Sequence, residues 1–395
     1  MREEAKAWRG EGEGKRVGGK KSKTEWGNRA EQRSQSPVPA LRDGNPCPCP
    51  PGPSALLPAH PPAFPFSPPP LESASPGPGA LGAAPAAKGP RVTDSANNTL
   101  AYLNGVWKPL SECVVPINTH ALQYGTGCFE GIRGYWDGQR VNLLFLREHF
   151  QRLARNASLL LMQAPSVDEM CAIATEAVRT NAPKGNIYLR PVVYKKGTTL
   201  GPVLANVPDG YMCYLQMLDS YFTGERGLNV CVSSWRRLSD NSIPTRTKAT
   251  GGYLNSALAK SEALLNGYDE AIFLNDRGQV CEGSAENIFL LRDGALHTPD
   301  RTADILEGIT RHGIFELAKE LGIAVIERPV ARTELYIADE VFLVGTGCQV
   351  TYVRSIDKRV IGDGNRGPLT ARLQQAYEDA VYGRNPAYRG WLTPV

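Results

Sequence analysis

The chain has 395 residues, a formal net charge of +4 and nine cysteines. This length is sufficient for two domains with cores of their own, and the small net charge does not favour a nucleic acid or a membrane surface as a partner. The apolar runs are far shorter than a membrane span. The cysteines are scattered, the histidines have no metal-ligand spacing, and Cys47 and Cys49 are too isolated to form a metal site. We therefore expect reduced thiols in a cytoplasmic protein without a bound metal.

Residues 1–96 are predicted to be a disordered extension. Residues 36–90 are dense in Pro, Ala, Gly and Ser. Such a composition cannot bury enough apolar surface to offset the entropy lost on ordering. The extension lacks the apolar segment of a secretory signal, and its early glutamates, such as Glu3 and Glu4, are atypical of a transit peptide. An organelle address, a Pro-rich interaction tail and an upstream stretch that is not normally translated are the open alternatives.

The region after the extension is predicted to mix strands and helices. Apolar residues on both sides of Asn104-Gly105 predict a hairpin. Tyr188 and Arg190 lie two residues apart in a predicted strand, so their side chains share one face. The other elements predicted here are helices at 145–161 and 167–180 and strands at 186–194 and 211–218.

The second half of the chain centres on Lys248. Gly251 and Gly252 permit a tight turn after it, and apolar spacing over 254–265 predicts a buried helix. Turn residues at 275–278 between two apolar runs predict a hairpin. The remaining predicted elements are strands at 271–274, 279–282, 288–291, 323–330 and 339–344, and helices beginning near Gly308 and Gly367.

A lysine in a short turn before a buried helix is poorly placed for a solvated residue. Partial burial would lower the pKa of Lys248 and make its amine a nucleophile that can form a Schiff base with a carbonyl cofactor. The alternative is an ordinary surface lysine, which the residues alone do not exclude. Glu282 at the end of a strand supplies a carboxylate that could tune such a cofactor.

Two long segments carry a family resemblance. Lys-Ala-Thr-Gly-Gly-Tyr-Leu-Asn-Ser from Lys248 and Glu-Gly-Ser-Ala-Glu-Asn-Ile-Phe from Glu282 resemble the fold-type IV pyridoxal-phosphate enzymes, above all the bacterial-type branched-chain amino acid aminotransferases. The resemblance extends over about residues 101–377. It implies an α+β fold with a smaller α/β domain, a larger pseudo-barrel domain and a homodimer or higher homo-oligomer. The expected ranges are 97–218 for the small domain, 219–227 for an interdomain loop and 228–390 for the large domain.

The resemblance also implies the residues of a pyridoxal 5′-phosphate site. Lys248 would be the Schiff-base lysine and proton shuttle, with Glu282 at the pyridine nitrogen and Tyr253 donating toward the phenolate oxygen. Arg152 would bind the phosphate, because a guanidinium offers it a planar fork of donors. The further cofactor residues implied are Leu306 on the ring and Ile309, Thr310 and Thr346 at the phosphate.

An amino acid pocket is implied next to that site. Tyr188 and Arg190 would bind the substrate carboxylate, since a guanidinium pairs with a carboxylate in a fixed geometry. Arg133 would help to accept the second carboxylate of glutamate. The other substrate residues implied are Phe129, Gly131, Tyr221, Gly347 and Tyr124, the last reaching the neighbouring subunit's site.

The expected activity is transfer of the amino group of leucine, isoleucine or valine to 2-oxoglutarate. A D-amino acid aminotransferase and an aminodeoxychorismate lyase are alternatives, because they share Lys248 and Glu282 and differ in the pocket. A non-catalytic relative that binds a partner through the extension is a third alternative. Gln349 and Tyr352 depart from the residues common in relatives, so they do not decide between the subgroups.

Overall fold

The computed structural model describes residues 99–219 and 226–395. The strand pairs of its first sheet are antiparallel. The extension and Tyr221 lie outside the described residues. The strands of this sheet are β1 Leu100–Leu103, β2 Val106–Pro109, β3 Gly127–Phe129, β4 Ile132–Trp136, β5 Val141–Leu144, β6 Ile187–Lys195, β7 Asp209–Met217 and β17 Leu392–Pro394. They lie in the order β17-β5-β4-β6-β7-β1-β2, with β3 paired to β6.

The second sheet mixes parallel and antiparallel pairs. Its strands are β8 Leu228–Arg236, β9 Glu270–Leu274, β10 Val280–Gly283, β11 Asn287–Arg292, β12 Ala295–Thr298, β13 Val325–Glu327, β14 Glu340–Gly345, β15 Gln349–Ile356 and β16 Arg359–Val360. Their order is β10-β9-β8-β15-β14-β11-β12-β13, with β16 on β15. The parallel pairs are β8 with β9, β8 with β15 and β12 with β13.

The helices cover the two sheets. They are α1 His120–Tyr124, α2 Leu146–Leu159, α3 Val167–Asn181, α4 Tyr253–Leu265, α5 Ile309–Glu320 and α6 Pro368–Val381. Apolar residues of α2 and α3, such as Phe150 and Met170, pack against the first sheet. Those of α5 and α6, such as Ile314 and Leu373, form a separate core with Phe289 and Phe342. This segregation of helices and mostly antiparallel strands is the α+β arrangement that was predicted.

Local sequence explains the turns. Asn104 and Gly105 have φ angles of 51° and 95°, and they join β1 to β2 in the predicted hairpin. Gly278 has a φ of 76° in the turn between β9 and β10, as the turn residues there predicted. The predicted strand at 323–330 is shorter than expected, because only Val325–Glu327 pairs with β12.

Helix α4 is present as predicted, and small residues rather than leucines form most of its buried side. Leu254 and Leu265 are 67% and 86% exposed, whereas Ser256, Ala259 and Ala263 are buried. The small residues allow the helix to lie close to β8 and β9, so the leucines project outward. Apolar spacing therefore identified the helix without identifying the side that packs inward.

Two further observations concern the described residues. No helix among them is long and apolar enough to cross a membrane. Cysteines in the described part of the chain are free thiols: Cys113, Cys128, Cys171, Cys213, Cys231, Cys281 and Cys348.

Candidate active site

Lys248 lies in a turn that hydrogen bonds to the first sheet. Its carbonyl accepts a hydrogen bond from the N–H of Phe129 at 3.1 Å, and the N–H of Thr250 donates to Gly127 at 2.8 Å. Its Nζ donates to the Tyr253 hydroxyl at 2.6 Å and lies 5.3 Å from the centre of the Phe129 ring. The turn therefore places the amine between strand β3 and the start of helix α4.

A pair of glycines makes this contact between turn and sheet close. The N–H of Gly251 donates to the carbonyl of Gly125 at 3.0 Å. A Cβ on Gly125 would lie 2.7 Å from the Cα of Gly251, and the φ of Gly125 is +65°. Both facts exclude a larger residue at Gly125 without movement of the Lys248 turn.

The pKa of Lys248 differs from our expectation. Burial acts to lower it, but the neighbouring Tyr253 and Glu130 favour the charged amine, and the pKa of Lys248 is raised above its ordinary value. The prediction of a lowered pKa was therefore wrong for the groups of this chain. It considered the turn alone, whereas the hydroxyl 2.6 Å from Nζ belongs to the helix that follows.

Arg152 is held by a buried carboxylate. Its Nε and Nη2 donate to the two oxygens of Glu130 at 2.6 and 2.7 Å, and His149 Nδ1 lies 2.8 Å from the same carboxylate. Its Nη1 donates to the carbonyl of Glu307 at 2.8 Å. The guanidinium is thereby fixed directly beside the N-terminal end of α5.

The N-terminus of α5 is suited to an anion. The N-cap residue is Gly308, which has no side chain that could accept a hydrogen bond. The first N–H groups of the helix, on Ile309 and Thr310, therefore have no capping side chain. A Cβ on Gly308 would lie 2.0 Å from Asn287 Oδ1, so the chain can pass here only as glycine. Arg152 and this helix end together provide positive charge at one place.

Glu282 is buried and fully engaged. One oxygen lies 2.9 Å from Arg237 Nη2, and the other accepts from Asn287 Nδ2 at 3.1 Å and from the N–H of Leu306 at 3.0 Å. Burial raises the pKa of Glu282 above its ordinary value even though Arg237 acts to lower it. A small cavity of about 30 Å³ has Glu282, Leu306 and Lys248 among its lining residues.

A larger cavity of about 500 Å³ adjoins the small cavity and also has Lys248 in its lining. Its lining includes these predicted residues: Phe129, Gly131, Tyr188, Arg190, Lys248, Tyr253, Thr346 and Gly347. Arg190 Nη2 donates to the Tyr188 hydroxyl at 3.1 Å, and its guanidinium lies 4.4 Å from the centre of the Phe129 ring. Gly131 is required here, because a Cβ would lie 1.8 Å from the Tyr188 hydroxyl oxygen.

Two predicted substrate residues lie elsewhere. Arg133 is fully buried and does not line the cavity; its Nη2 donates to the carbonyl of Asp219 at 2.8 Å. Tyr124 is 37% exposed, and its hydroxyl accepts from the N–H of Gly201 at 3.0 Å. Strand position alone could not reveal that the Arg133 side chain is fully buried and is not part of the cavity lining.

Sequence reasoning missed a group of charged residues near the cavity. Lys260 and Glu286 both line it, and Lys260 Nζ donates to the buried Glu270 at 2.6 Å. Burial, together with repulsion from Glu270, raises the pKa of Glu286 to about 8. Glu130 was also missed, although its place directly before Gly131 in a predicted site segment could have marked it.

These groups fit pyridoxal phosphate. An arginine and an uncapped helix N-terminus suit a phosphate, a buried carboxylate suits a ring nitrogen, and a half-buried amine with a tyrosine suits an aldehyde next to a phenolate oxygen. The cavity beside Lys248 has room for an amino acid as well.

Comparison with known proteins agrees with this chemistry. The class IV amino-transferase family matches residues 127–356. A probable branched-chain-amino-acid aminotransferase of Aquifex aeolicus is 46% identical over 299 residues, which are 75% of this chain and 96% of that protein. The chain belongs to the class IV aminotransferase family.

Solved structures indicate which group within the family the chain resembles. The branched-chain aminotransferase of Thermoproteus uzoniensis with norvaline has a TM-score of 0.73 and 39% identity, covering 75% of this chain and 99% of that one. The T.th. branched-chain amino acid aminotransferase complexed with N-(5′-phosphopyridoxyl)-L-glutamate has a TM-score of 0.72 and 40% identity, covering 75% and 98%. Within its family, the chain groups with the branched-chain aminotransferases. The predicted fold, enzyme class and pyridoxal-phosphate cofactor are thereby confirmed.

Proposed function

We propose that this chain transfers the amino group of leucine, isoleucine or valine to 2-oxoglutarate. The observation that carries the proposal is the place of Lys248 Nζ, which lies in a cavity with Arg190 and Tyr188 on its wall and with Glu282 nearby. The similarity to branched-chain aminotransferases, one of them complexed with a phosphopyridoxyl derivative of glutamate, supports both substrates.

The cofactor would be held at both ends. Arg152, the N–H groups of Ile309 and Thr310, and Thr346 would bind the phosphate, since each offers a donor or a positive charge. Leu306 would pack on the ring, and Glu282 would pair with its nitrogen. Bound pyridoxal phosphate supplies an electron sink that makes the Cα–H of an attached amino acid acidic.

Lys248 and Tyr253 would carry out the transfer of the substrate Cα proton. Lys248 Nζ would take the proton from the substrate Cα and deliver it to the C4′ carbon of the cofactor, on the same face of the cofactor. Only the neutral form of the Lys248 amine can accept that proton. The Tyr253 hydroxyl, 2.6 Å from Nζ, orients the amine for both steps.

The substrate would be bound by polar groups at one end and by an apolar wall at the other. Arg190 and Tyr188 would orient the carboxylate, with the N–H of Gly347 as a further donor. Phe129 and Gly131 would shape the space for an aliphatic side chain. Arg133 is fully buried and does not line the cavity, which gives no direct support to the contact with glutamate that we expected for it.

A homodimer or higher homo-oligomer in the cytoplasm completes the proposal. Tyr124 is partly exposed and does not line its own cavity, which is the arrangement expected if it served the neighbouring subunit. The free thiols agree with a reducing compartment. Light scattering of the purified protein would measure the mass, and a monomer would contradict the dimer.

A spectroscopic half-reaction tests the activity. The protein loaded with pyridoxal phosphate receives L-leucine, L-valine, D-alanine or aminodeoxychorismate in separate cuvettes. We expect the branched-chain L-amino acids alone to remove the visible absorbance of the lysine-bound cofactor, and 2-oxoglutarate to restore it. A response only to D-alanine, or pyruvate release from aminodeoxychorismate, would overturn the substrate assignment. Lys248→Ala should lack the absorbance, whereas the matched variant of an exposed lysine, Lys196→Ala, should keep it.

A further inference from the structure

Asn156 is a buried polar residue that lies between two predicted cofactor residues. It follows Arg152 by one helical turn on α2, and it is only 2% exposed. An asparagine at a buried helical position is costly unless its amide is fully hydrogen bonded. Neither the family resemblance nor the proposed function gives this side chain a role.

The surroundings of the Asn156 amide determine its orientation. It faces one donor, the N–H of Lys248, and two acceptors, the carbonyls of Arg152 and Arg246. With its oxygen toward Lys248 the side chain accepts at 3.1 Å and donates to the two carbonyls at 3.2 and 3.3 Å. The opposite orientation would set donor against donor and acceptor against acceptor.

These hydrogen bonds join helix α2 to the Lys248 turn. The N–H of Lys248 is held by Asn156, and its carbonyl is held by the N–H of Phe129 at 3.1 Å. Both backbone groups of the lysine are therefore fixed, one from the helix that carries Arg152 and one from strand β3. The bond to the Arg246 carbonyl fixes the turn at a second point.

We propose that Asn156 is a positioning residue that sets the placement of Lys248 relative to Arg152. The inference rests on the proposed function, in which Arg152 binds the phosphate of the cofactor and Lys248 binds its other end. A cofactor held at two ends is bound tightly only if the two protein groups that hold it are kept at a separation that matches the length of the cofactor. Asn156 is a side chain whose hydrogen bonds span the two segments that carry them.

A matched control exists in the same domain. Asn181 donates from its amide to the carbonyls of Leu100 and Ala177 at 2.9 and 2.8 Å and accepts from the N–H of Leu100 at 2.8 Å. Its hydrogen bonds are of the same number and kind as those of Asn156. They join α3 to β1 and involve no residue of either cavity lining.

The experiment compares Asn156→Ala and Asn156→Asp with Asn181→Ala. Asn156→Asp keeps the oxygen that accepts from the N–H of Lys248 but presents a carboxylate to the two carbonyls. This variant is measured in place of Asn156→Ala if the alanine variant does not fold. For each protein we would measure the dissociation constant of pyridoxal phosphate, the pH titration of its visible absorbance and the Tm without cofactor. We expect both Asn156 variants to bind the cofactor about tenfold more weakly with a displaced titration. Asn181→Ala should lower the Tm and leave both cofactor measurements unchanged.

The outcomes separate the two proposals. If the Asn156 variants lower the Tm as Asn181→Ala does while cofactor affinity and titration stay at the wild-type values, the residue is merely structural and the inference is overturned. If the wild-type protein itself gives no lysine-bound absorbance, the proposed function fails and the inference fails with it.

Discussion

The ion pair between Glu130 and Arg152 gives a sharp test of the phosphate end of the site. Glu130→Gln keeps the shape of the side chain and removes its charge. In the native protein Glu130 is fully buried, its oxygens accept from Arg152 at 2.6 and 2.7 Å, and His149 lies 2.8 Å away. The variant therefore leaves the Arg152 guanidinium buried without its carboxylate partner.

The expected cost follows from that burial. Removing one partner of a buried, hydrogen-bonded ion pair costs about 3–5 kcal/mol, because the remaining charge stays desolvated. Glutamine still offers one oxygen to Arg152, so we expect the lower end, about 3 kcal/mol. Saturating pyridoxal phosphate should reduce the deficit, since a bound phosphate supplies Arg152 with a new negative partner.

The free energy of unfolding that Glu130→Gln loses should depend on pH in a definite direction. Burial acts to raise the pKa of Glu130, but Arg152 and His149 outweigh it and hold the pKa below its ordinary value of 4.5. A lowered carboxyl pKa stabilises the folded protein above the unfolded-state value, and the stabilisation is lost as the pH falls further. The two proteins should therefore differ fully at pH 7 and converge below about pH 4.5.

Urea unfolding at pH 7, with and without saturating cofactor, measures both effects. Asp209→Asn is the control, because it removes the carboxylate that lies 2.9 Å from the buried Lys195, a pair that does not line the cavity. The free energy of unfolding that Asp209→Asn loses should be the same with and without the cofactor. Equal stability of Glu130→Gln and wild type at pH 7 would refute the reasoning, as would a deficit that the cofactor leaves unchanged.

Three further predictions concern the cavity. Lys248→Ala should lower turnover roughly a thousandfold or more while circular dichroism shows a folded protein, and near-native turnover would contradict its role as base. Tyr253→Phe removes the hydroxyl 2.6 Å from Lys248 Nζ and should lower the pKa of that amine in the cofactor-free protein, measured by the pH dependence of the rate at which added pyridoxal phosphate joins the lysine; an unchanged pH dependence would contradict the assigned contact. Glu286 has a pKa raised to about 8, so the folded protein keeps a proton that the unfolded chain releases above about pH 4.5, and wild-type stability should fall between these values. Glu286→Gln should remove that fall in unfolding experiments at pH 5 and pH 9, and equal pH dependence of the two proteins would count against it.

Local sequence determined most of the elements and the centre of the site. Periodicity and turn residues predicted the helices α2 and α3, the β1–β2 hairpin and the strand that carries Tyr188 and Arg190 on one face. These features depend on residues close together in the chain, so they can be read without the fold. The segments beginning at Lys248 and Glu282 likewise indicated the family and the cofactor, because their residue order is specific.

Tertiary structure decided what depends on distant neighbours. The pKa of Lys248 is raised because the fold places Tyr253 and Glu130 near its amine, and no local pattern carries that balance. Burial of Arg133 and exposure of Leu254 depend on which side of each element meets the core. The return of β17 to pair with β5, and the link from Asn156 to Lys248, join residues far apart in sequence. The sequence alone thus determined the type of site, whereas its electrostatics and its support required the three-dimensional arrangement of the chain.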